Sequence, residues 1–355
     1  MKIKSLGLED VRSVEWNYNT QALQLVDQRL IPFRISFVQL SSVKEICSAI
    51  KEMVVRGAPA IGATAAFGIV QAIKEIENES SNNKKKMLDE KLKQLLKTRP
   101  TAVDLKNFAS KTYEIAVGSN FSMKVTLERA QELADRMVDE CKLIGKKGAE
   151  LIQDGDTILT HCNAGPMATI DVGTALAPLF EANREGKNIS VIVDETRPRL
   201  QGAKITAWEL EQEDIEHKII PDSAAAFLMS KGKINRVILG ADRCLKDGTI
   251  SNKIGTLSVA ISAKYYDIPF YSAFPWSTID FQSESSDDFD IEFRDEKEIK
   301  YVTSFEEEML IANPTSNALN PAFDITPPNL ITGYITSRGV LNRENLNKEI
   351  LKETK

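Results

Sequence analysis

A chain of 355 residues is long enough for two domains, and 42% hydrophobic with 27% charged residues is the balance of an ordinary globular protein. A formal net charge of −6 argues against sequence-independent nucleic-acid binding, which needs a cationic surface. The 4 cysteines (Cys47, Cys141, Cys162, Cys244) form no C-x-x-C pair and the 2 histidines are His161 and His217, which excludes a disulfide framework, a zinc site and a His-rich metal centre and suits a reducing cytoplasm.

In chain order, Met1-Lys2-Ile3-Lys4-Ser5 leads into no apolar secretory core. The longest weakly polar run, 57–70, is shorter than the ~20 residues of a membrane span. Residues 22–26 and 34–38 alternate as strands and predict a small antiparallel sheet. Ser42 stands three residues before Glu45, the spacing of a capping box, and predicts a helix from there. The stretch 54–60 breaks it, and the Ala-rich run 61–76 is the next helix. Residues 78–86 are polar and charged and read as a surface loop. Helices follow over 88–96, stopped before Pro100, then over 104–116 and 125–152. From 156 strands and helices alternate. The predicted strands are 157–160, 189–193, 217–220, 237–239, 269–273 and 329–335. The predicted helices are 168–183, 201–211, 223–231, 253–266 and 343–352, with an acidic, Ser-rich loop or flap at 281–298. The expectation is an α/β protein. A smaller, mainly helical domain with a short antiparallel sheet (1–125) precedes a doubly wound parallel sheet (126–355), and the helix at about 125–152 joins them. No G-x-G-x-x-G follows a strand, so no dinucleotide cofactor is expected.

The chemistry gathers at predicted strand ends, where open α/β sheets bind ligands. Asp242 of Gly240-Ala241-Asp242-Arg243 follows the strand 237–239, as a candidate acid or base. Ser251-Asn252-Lys253-Ile254-Gly255 reads as a helix start whose N–H groups and Lys253 cradle an anion. A bland alternative is an Asp–Arg surface turn. Cys162 follows the strand 157–160 in Thr160-His161-Cys162-Asn163-Ala164-Gly165; at a helix start the dipole lowers a thiol's pKa. The competing reading is an inert buried cysteine, and His161 fits either a core position or an orienter of the site. The strand 189–193 ends in Asp194-Glu195-Thr196-Arg197-Pro198-Arg199, whose arginines suit phosphate or neutralise their own acids. Gln201 is uncharged and placed to bond a sugar hydroxyl. Arg56-Gly57 and Arg99-Pro100 each offer a cation on a turn, although spacing alone makes both ordinary interhelical loops. Asn320-Pro321-Ala322-Phe323-Asp324-Ile325-Thr326-Pro327 is a proline-bounded loop whose chemistry assigns it no role.

These stretches, taken together, carry a resemblance. LVDQRLIP (25–32), VRGAPAIG (55–62), RPTAVDL (99–105), THCNAG (160–165), ETRPRLQGAKITAWEL (195–210), GADR (240–243), SNKIGT (251–256) and NPAFDITP (320–327) cover nearly the whole chain in order. The chain resembles the methylthioribose-1-phosphate isomerase family, within the wider family that also holds regulatory subunits of the translation guanine-nucleotide exchange factor. The resemblance implies a small N-terminal domain before a Rossmann-like domain, a homodimer, and neither metal nor cofactor. It implies an aldose–ketose isomerase of methionine salvage, with Cys162 and Asp242 as its catalytic pair. Substrate contacts would fall to Arg56, Gly57, Ala58, Arg99, Gln201, Asn252 and Lys253. The rival readings are a sister isomerase for ribose 1,5-bisphosphate or 5-deoxyribose 1-phosphate, and a non-catalytic regulatory subunit that binds a protein partner.

Overall fold

Three short strands, β1 (Val14–Asn17), β2 (Ala22–Val26) and β3 (Phe37–Leu40), form an antiparallel sheet in that order. Their alternation works as expected: Leu23 and Leu25 are buried, and Leu25 lies across from Val14 on one side and Val38 on the other. In the computed structural model, residues 1–99, 102–283, 285–286, 289, 291–304 and 307–353 are described. They divide into one unit of Met1–Cys141 with Pro166–Gly173 and a second of Lys142–Gly165 with Thr174–Lys355.

In the first unit, α1 (Val43–Lys51) starts at the expected capping box: Ser42 Oγ accepts from the Glu45 N–H, and the Glu45 carboxylate accepts from the Ser42 N–H. The next helix, α2 (Ala58–Glu75), is buried from Pro59 to Ile73. A helix apolar on every side has no solvent face and must sit inside. Trp16 stacks on its Phe67 at 5.9 Å. α3 (Ser81–Leu96) begins inside the stretch 78–86, which was expected to be a loop. No glycine or proline interrupts that stretch, and Leu88, Leu92 and Leu95, at helical spacing, turn one side inward. Its stop at Pro100 and Thr101 lies outside the described residues. α4 (Val103–Gly118) crosses α2 closely at Gly62 and Asp104. α5 (Met123–Ala149) is the long expected helix. The short α6 (Pro166–Thr169) completes this unit.

The second unit is built on β4 (Thr157–Thr160), α7 (Ala177–Arg184), β5 (Ser190–Asp194), α8 (Ala207–Gln212), β6 (Glu216–Ile220), α9 (Ala225–Ser230) and β7 (Arg236–Gly240). After these come β8 (Arg243–Leu245), β9 (Ile250–Lys253), α10 (Thr256–Tyr265), β10 (Phe270–Ala273) and β11 (Ile279–Asp280). The chain ends with α11 (Lys297–Lys300), β12 (Tyr301–Thr303), β13 (Glu308–Leu310), β14 (Phe323–Thr326), β15 (Gly333–Thr336), β16 (Gly339–Leu341) and α12 (Arg343–Glu353). The main sheet runs β16-β15-β10-β7-β4-β5-β6, parallel except for the edge strand β16. Successive side chains face opposite sides, and both sides are apolar. Leu159, Leu239 and Phe270 enter one core; Ile158, Ile238 and Ala273 enter the other.

Two expectations fail here and one is refined. The helix expected over 168–183 is two helices, α6 and α7, separated by Ile170 and Val172 at positive φ. β-Branched residues in that conformation do not continue a helix. The helix expected over 201–211 opens with a π-helical turn, Gly202–Thr206, before α8. Ser251–Lys253 is strand, not helix: β9 pairs antiparallel with β8 and β14 in a second sheet, β11-β8-β9-β14. The pairing with β14 is non-local, and so short a segment carries no periodic signal, while β8 and β9 form a tight hairpin about Asp247-Gly248.

Candidate functional site

β4 and β7 are parallel neighbours, with Leu159 opposite Val237, so the residues that follow them emerge at one edge of the sheet. β5 ends at that edge as well. Cys162 leaves β4 in the left-handed region (φ 63°) and is half-buried. Its N–H donates to Thr196 Oγ1 at 2.8 Å, and its carbonyl accepts from Thr206 Oγ1 at 2.7 Å, so β5 and the turn after it hold the thiol-bearing residue. The dipole argument for this thiol does not survive. The following helix is the four-residue α6 and begins four residues later. Cys162 and the buried Lys253 ammonium act on each other electrostatically.

Asp242 leaves β7, and its N–H donates to Ser251 O at 3.0 Å, fastening the strand's exit to β9. On β9, Asn252 Nδ2 donates to Thr256 Oγ1 at 2.9 Å. Lys253 is buried; its ammonium donates to Ala322 O at 2.8 Å and lies 4.7 Å from the Phe323 ring centroid. Burial, and next the Arg294 cation, lower its pKa to about 8, against the opposing pull of Cys162, Asp242 and Glu298. The structure thus brings Cys162, Asp242, Asn252 and Lys253 into one electrostatic neighbourhood. The helix start expected to cradle an anion is already filled. Asp324 accepts from Gly255 N at 2.7 Å and Leu257 N at 3.1 Å, the first amides of α10. Burial pushes the Asp324 carboxyl up to about 6, opposed by those two bonds and by His161 and Lys253.

His161 is a positioner of this edge as well as a core residue. Its Nε2 lies 2.9 Å from Ile254 O, and a carbonyl only accepts, so Nε2 carries a proton. Its Nδ1 lies 2.9 Å from Asp194 Oδ2, and both side chains are buried. Burial opposes charge on the ring, yet the hydrogen bond and charge of Asp194 raise its pKa above the ordinary histidine value. Gly255 makes the contact possible: at φ 106° a Cβ there would stand 2.7 Å from His161 Cε1.

Gln201 follows β5 with its side-chain oxygen buried and without a hydrogen-bond partner among the described residues, an acceptor in place for a ligand hydroxyl. The arginines before it do not act as a phosphate fork. Arg197 Nη2 donates to Ile299 O at 2.7 Å, Arg199 pairs with Glu298 at 2.9 Å, and Lys204 Nζ donates to Thr303 O at 2.7 Å. Together they fasten α11 and β12. The proline-bounded segment 320–327, expected as a loop, contains the strand β14 and also acquires a role. Asn320 Nδ2 donates to Asp295 O and to Glu298, Ala322 receives Lys253, and Phe323 underlies it.

In the first unit, Gly57 (φ 98°) leads into α2, where a Cβ would run into Ala168, so only glycine fits. Ala58 and Pro59 open the helix, whose first amides have no intrahelical acceptor. Arg56 precedes them, and Arg99 lies between α3 and α4; both are half-buried. Residue-by-residue reading missed Arg294, Phe323, Asp324 and the His161–Asp194 pair. The last three lie in stretches the sequence had marked out, whereas Arg294 lies in the acidic segment, which carried no signal.

The initiation factor 2 subunit family matches residues 54–343. A methylthioribose-1-phosphate isomerase of Thermosipho africanus is 44% identical over 355 residues, covering 98% of this chain and 99% of that protein. Among solved structures, 5-methylthioribose 1-phosphate isomerase from Pyrococcus horikoshii OT3 superposes with a TM-score of 0.87 at 34% identity, over 100% of this chain and 99% of that one. The translation initiation factor eIF-2B, subunit delta, from A. fulgidus superposes with a TM-score of 0.83 at 38% identity, over 97% of this chain and 100% of that one.

Proposed function

The chain belongs to the initiation factor 2 subunit family, and we propose that it converts 5-methylthioribose 1-phosphate to 5-methylthioribulose 1-phosphate in methionine salvage. The observation that carries this reading is that Cys162 and Asp242 leave neighbouring parallel strands at one sheet edge, where both act electrostatically on the buried ammonium of Lys253. A protein that only binds partners has no use for that constellation. The unpartnered Gln201 oxygen in the same edge supports a hydroxylated ligand.

The chemistry sets the requirement. With phosphate on O1, the sugar ring cannot open as a free sugar does. A proton must reach the ring oxygen as its bond to C1 breaks. The C2 hydrogen then moves to C1, O2 gives up its proton, and C2=O forms, so no atom is gained or lost. One group must donate and another accept; Cys162 and Asp242 take these two roles. Lys253, cationic at neutral pH, holds phosphate together with Asn252, and Gln201 accepts from a sugar hydroxyl. Arg56, Gly57, Ala58 and Arg99 join the substrate contacts on the strength of their motifs. Unit two is read as Rossmann-like, which its parallel strand order and two apolar faces support. The working form is a cytoplasmic homodimer.

Turnover of 5-methylthioribose 1-phosphate, compared with ribose 1,5-bisphosphate and 5-deoxyribose 1-phosphate, tests the reading. The methylthio sugar should be preferred. Asp242→Asn and Cys162→Ser should each lose roughly 10²–10⁴-fold in turnover with the melting temperature unchanged. Either variant working at the wild-type rate removes that residue from the mechanism, and no turnover of any of the three sugars leaves the regulatory-subunit reading.

A further inference from the structure

Two cations share one aromatic ring beside the proposed catalytic pair. Lys253 Nζ lies 4.7 Å and Arg294 Cζ 5.7 Å from the centroid of Phe323. Strand pairing sets this up: Phe323 is the cross-strand partner of Lys253, and residues 292–294 run alongside 320–322. Arg294 N–H donates to Asn320 O at 2.9 Å and Ala322 N–H to Glu292 O at 2.9 Å. Both cations are nearly out of solvent, the Arg294 side chain being 9% exposed and Lys253 5%. Like charges held close in a dry setting repel, and here burial first and this repulsion second depress the lysine's affinity for its proton. The only carboxylate that pairs with Arg294 among the described residues is Glu292, at 3.3 Å, on the more exposed side. A fold that keeps two cations together on one ring is arranged for an anion that neutralises both.

We propose that Arg294 is a further substrate-binding residue, which with Lys253 forms a two-cation seat on Phe323 for the phosphate of the sugar. The inference rests on the reading of the protein as a sugar-phosphate isomerase, and it adds a residue that the motifs did not single out. Phe323 supplies a ring face that holds both cations in place. Glu292 is the resting counter-ion, which the arriving phosphate displaces from Arg294. The groups that bear on Lys253 from neighbouring segments are Arg294, Cys162, Asp242, Glu298 and Asp324. Only Arg294 among them is cationic, so its loss has a signed consequence for the lysine.

The test is calorimetric binding of inorganic phosphate to the full chain, with kcat/KM followed against pH. Arg294→Met should weaken phosphate binding and raise KM by tenfold or more, with a smaller change in kcat. It should also move the alkaline limb of kcat/KM upward, because the repelling charge has gone. Glu292→Gln should act oppositely, tightening phosphate, whereas a merely structural Arg294–Glu292 pair would make both variants weaker. If Arg294→Met does not fold, Glu292→Gln alone decides by its sign. Wild-type phosphate affinity in Arg294→Met, or weaker binding in Glu292→Gln, overturns the proposal. If the wild-type chain isomerises none of the sugars yet binds phosphate through Arg294, the isomerase reading fails and the anion seat stands.

Discussion

Lys253 shows at the scale of one residue how burial sets chemistry. A lysine in water holds its proton well above neutral pH; here burial and Arg294 lower its pKa to about 8. Two consequences follow with definite signs. Between about pH 8 and the ordinary lysine value the folded chain binds fewer protons than the unfolded chain, so this residue's contribution to stability rises with pH through that window. Lys253→Met should therefore raise the melting temperature at pH 7, and the gain should vanish once the pH exceeds 10.5, the unfolded value. In the free enzyme kcat/KM should fall through a limb near pH 8, as the cation that meets phosphate is lost, and that limb should be absent in Lys253→Met. A pH profile flat to pH 10 in the wild type would remove Lys253 from phosphate recognition. The cysteines show the converse. Burial raises the thiol pKa of Cys47, Cys141 and Cys244, and Cys141 and Cys244 are wholly inside. Cys244, two residues past Asp242, is no rival to the half-buried Cys162 for reagents or for catalysis.

At the scale of elements, the segment 320–327, which carries β14, organises more of the site than any helix does. Asp324 caps α10 from across the sheet through two amides, a task that a side chain at the helix's own N-cap performs elsewhere. Gly255, at that position, has no side chain to offer, and the His161 ring fills the space beside it. Asp324→Ala leaves two partly buried N–H groups without acceptors and should cost about 1–3 kcal/mol in a denaturant titration. It should also cut turnover, since Asn252 and Lys253 immediately precede those amides. A fully active variant of unchanged stability would show that α10 does not need this cap. α2 makes a related point inside the first unit. Its small residues bring α4 close at Gly62, and nothing polar but Thr64 and Gln71 lies along the buried run from Pro59 to Ile73.

For the molecule as a whole, each of the two units has a hydrophobic interior, and none of the described helices is long and apolar enough to cross a membrane. The described residues offer little to a metal ion, for a reason of occupancy. The one cluster of candidate ligands among them is His161, Asp194 and Asp222. Both imidazole nitrogens are engaged, and the two Asp222 oxygens accept from the Thr196 and Arg197 N–H groups at 2.7 Å. Dialysis against a strong chelator should leave turnover unchanged, and loss of activity restored by a divalent cation would contradict this assignment.

The sequence by itself determined what is local or periodic. The capping box at Ser42, the parallel strands of the main sheet and the position of Asp242 after β7 are legible, because apolar runs and cap spacing act over a few residues, whereas the edge strand β16 is not. The motifs brought the family and the proposed catalytic pair into view. Only the tertiary structure decided that Ser251–Lys253 is a strand, that Asp324 fills the α10 start, and that Arg197 and Arg199 hold the chain instead of a phosphate. Apart from the β8–β9 hairpin, each depends on a partner 69 to 102 residues away in the chain, and a separation of that length leaves no pattern in either segment. Burial is decided in the same way. Whether Lys253 keeps its proton near pH 8 depends on Arg294, Phe323 and Ala322, which reach it only when β9 and β14 pair.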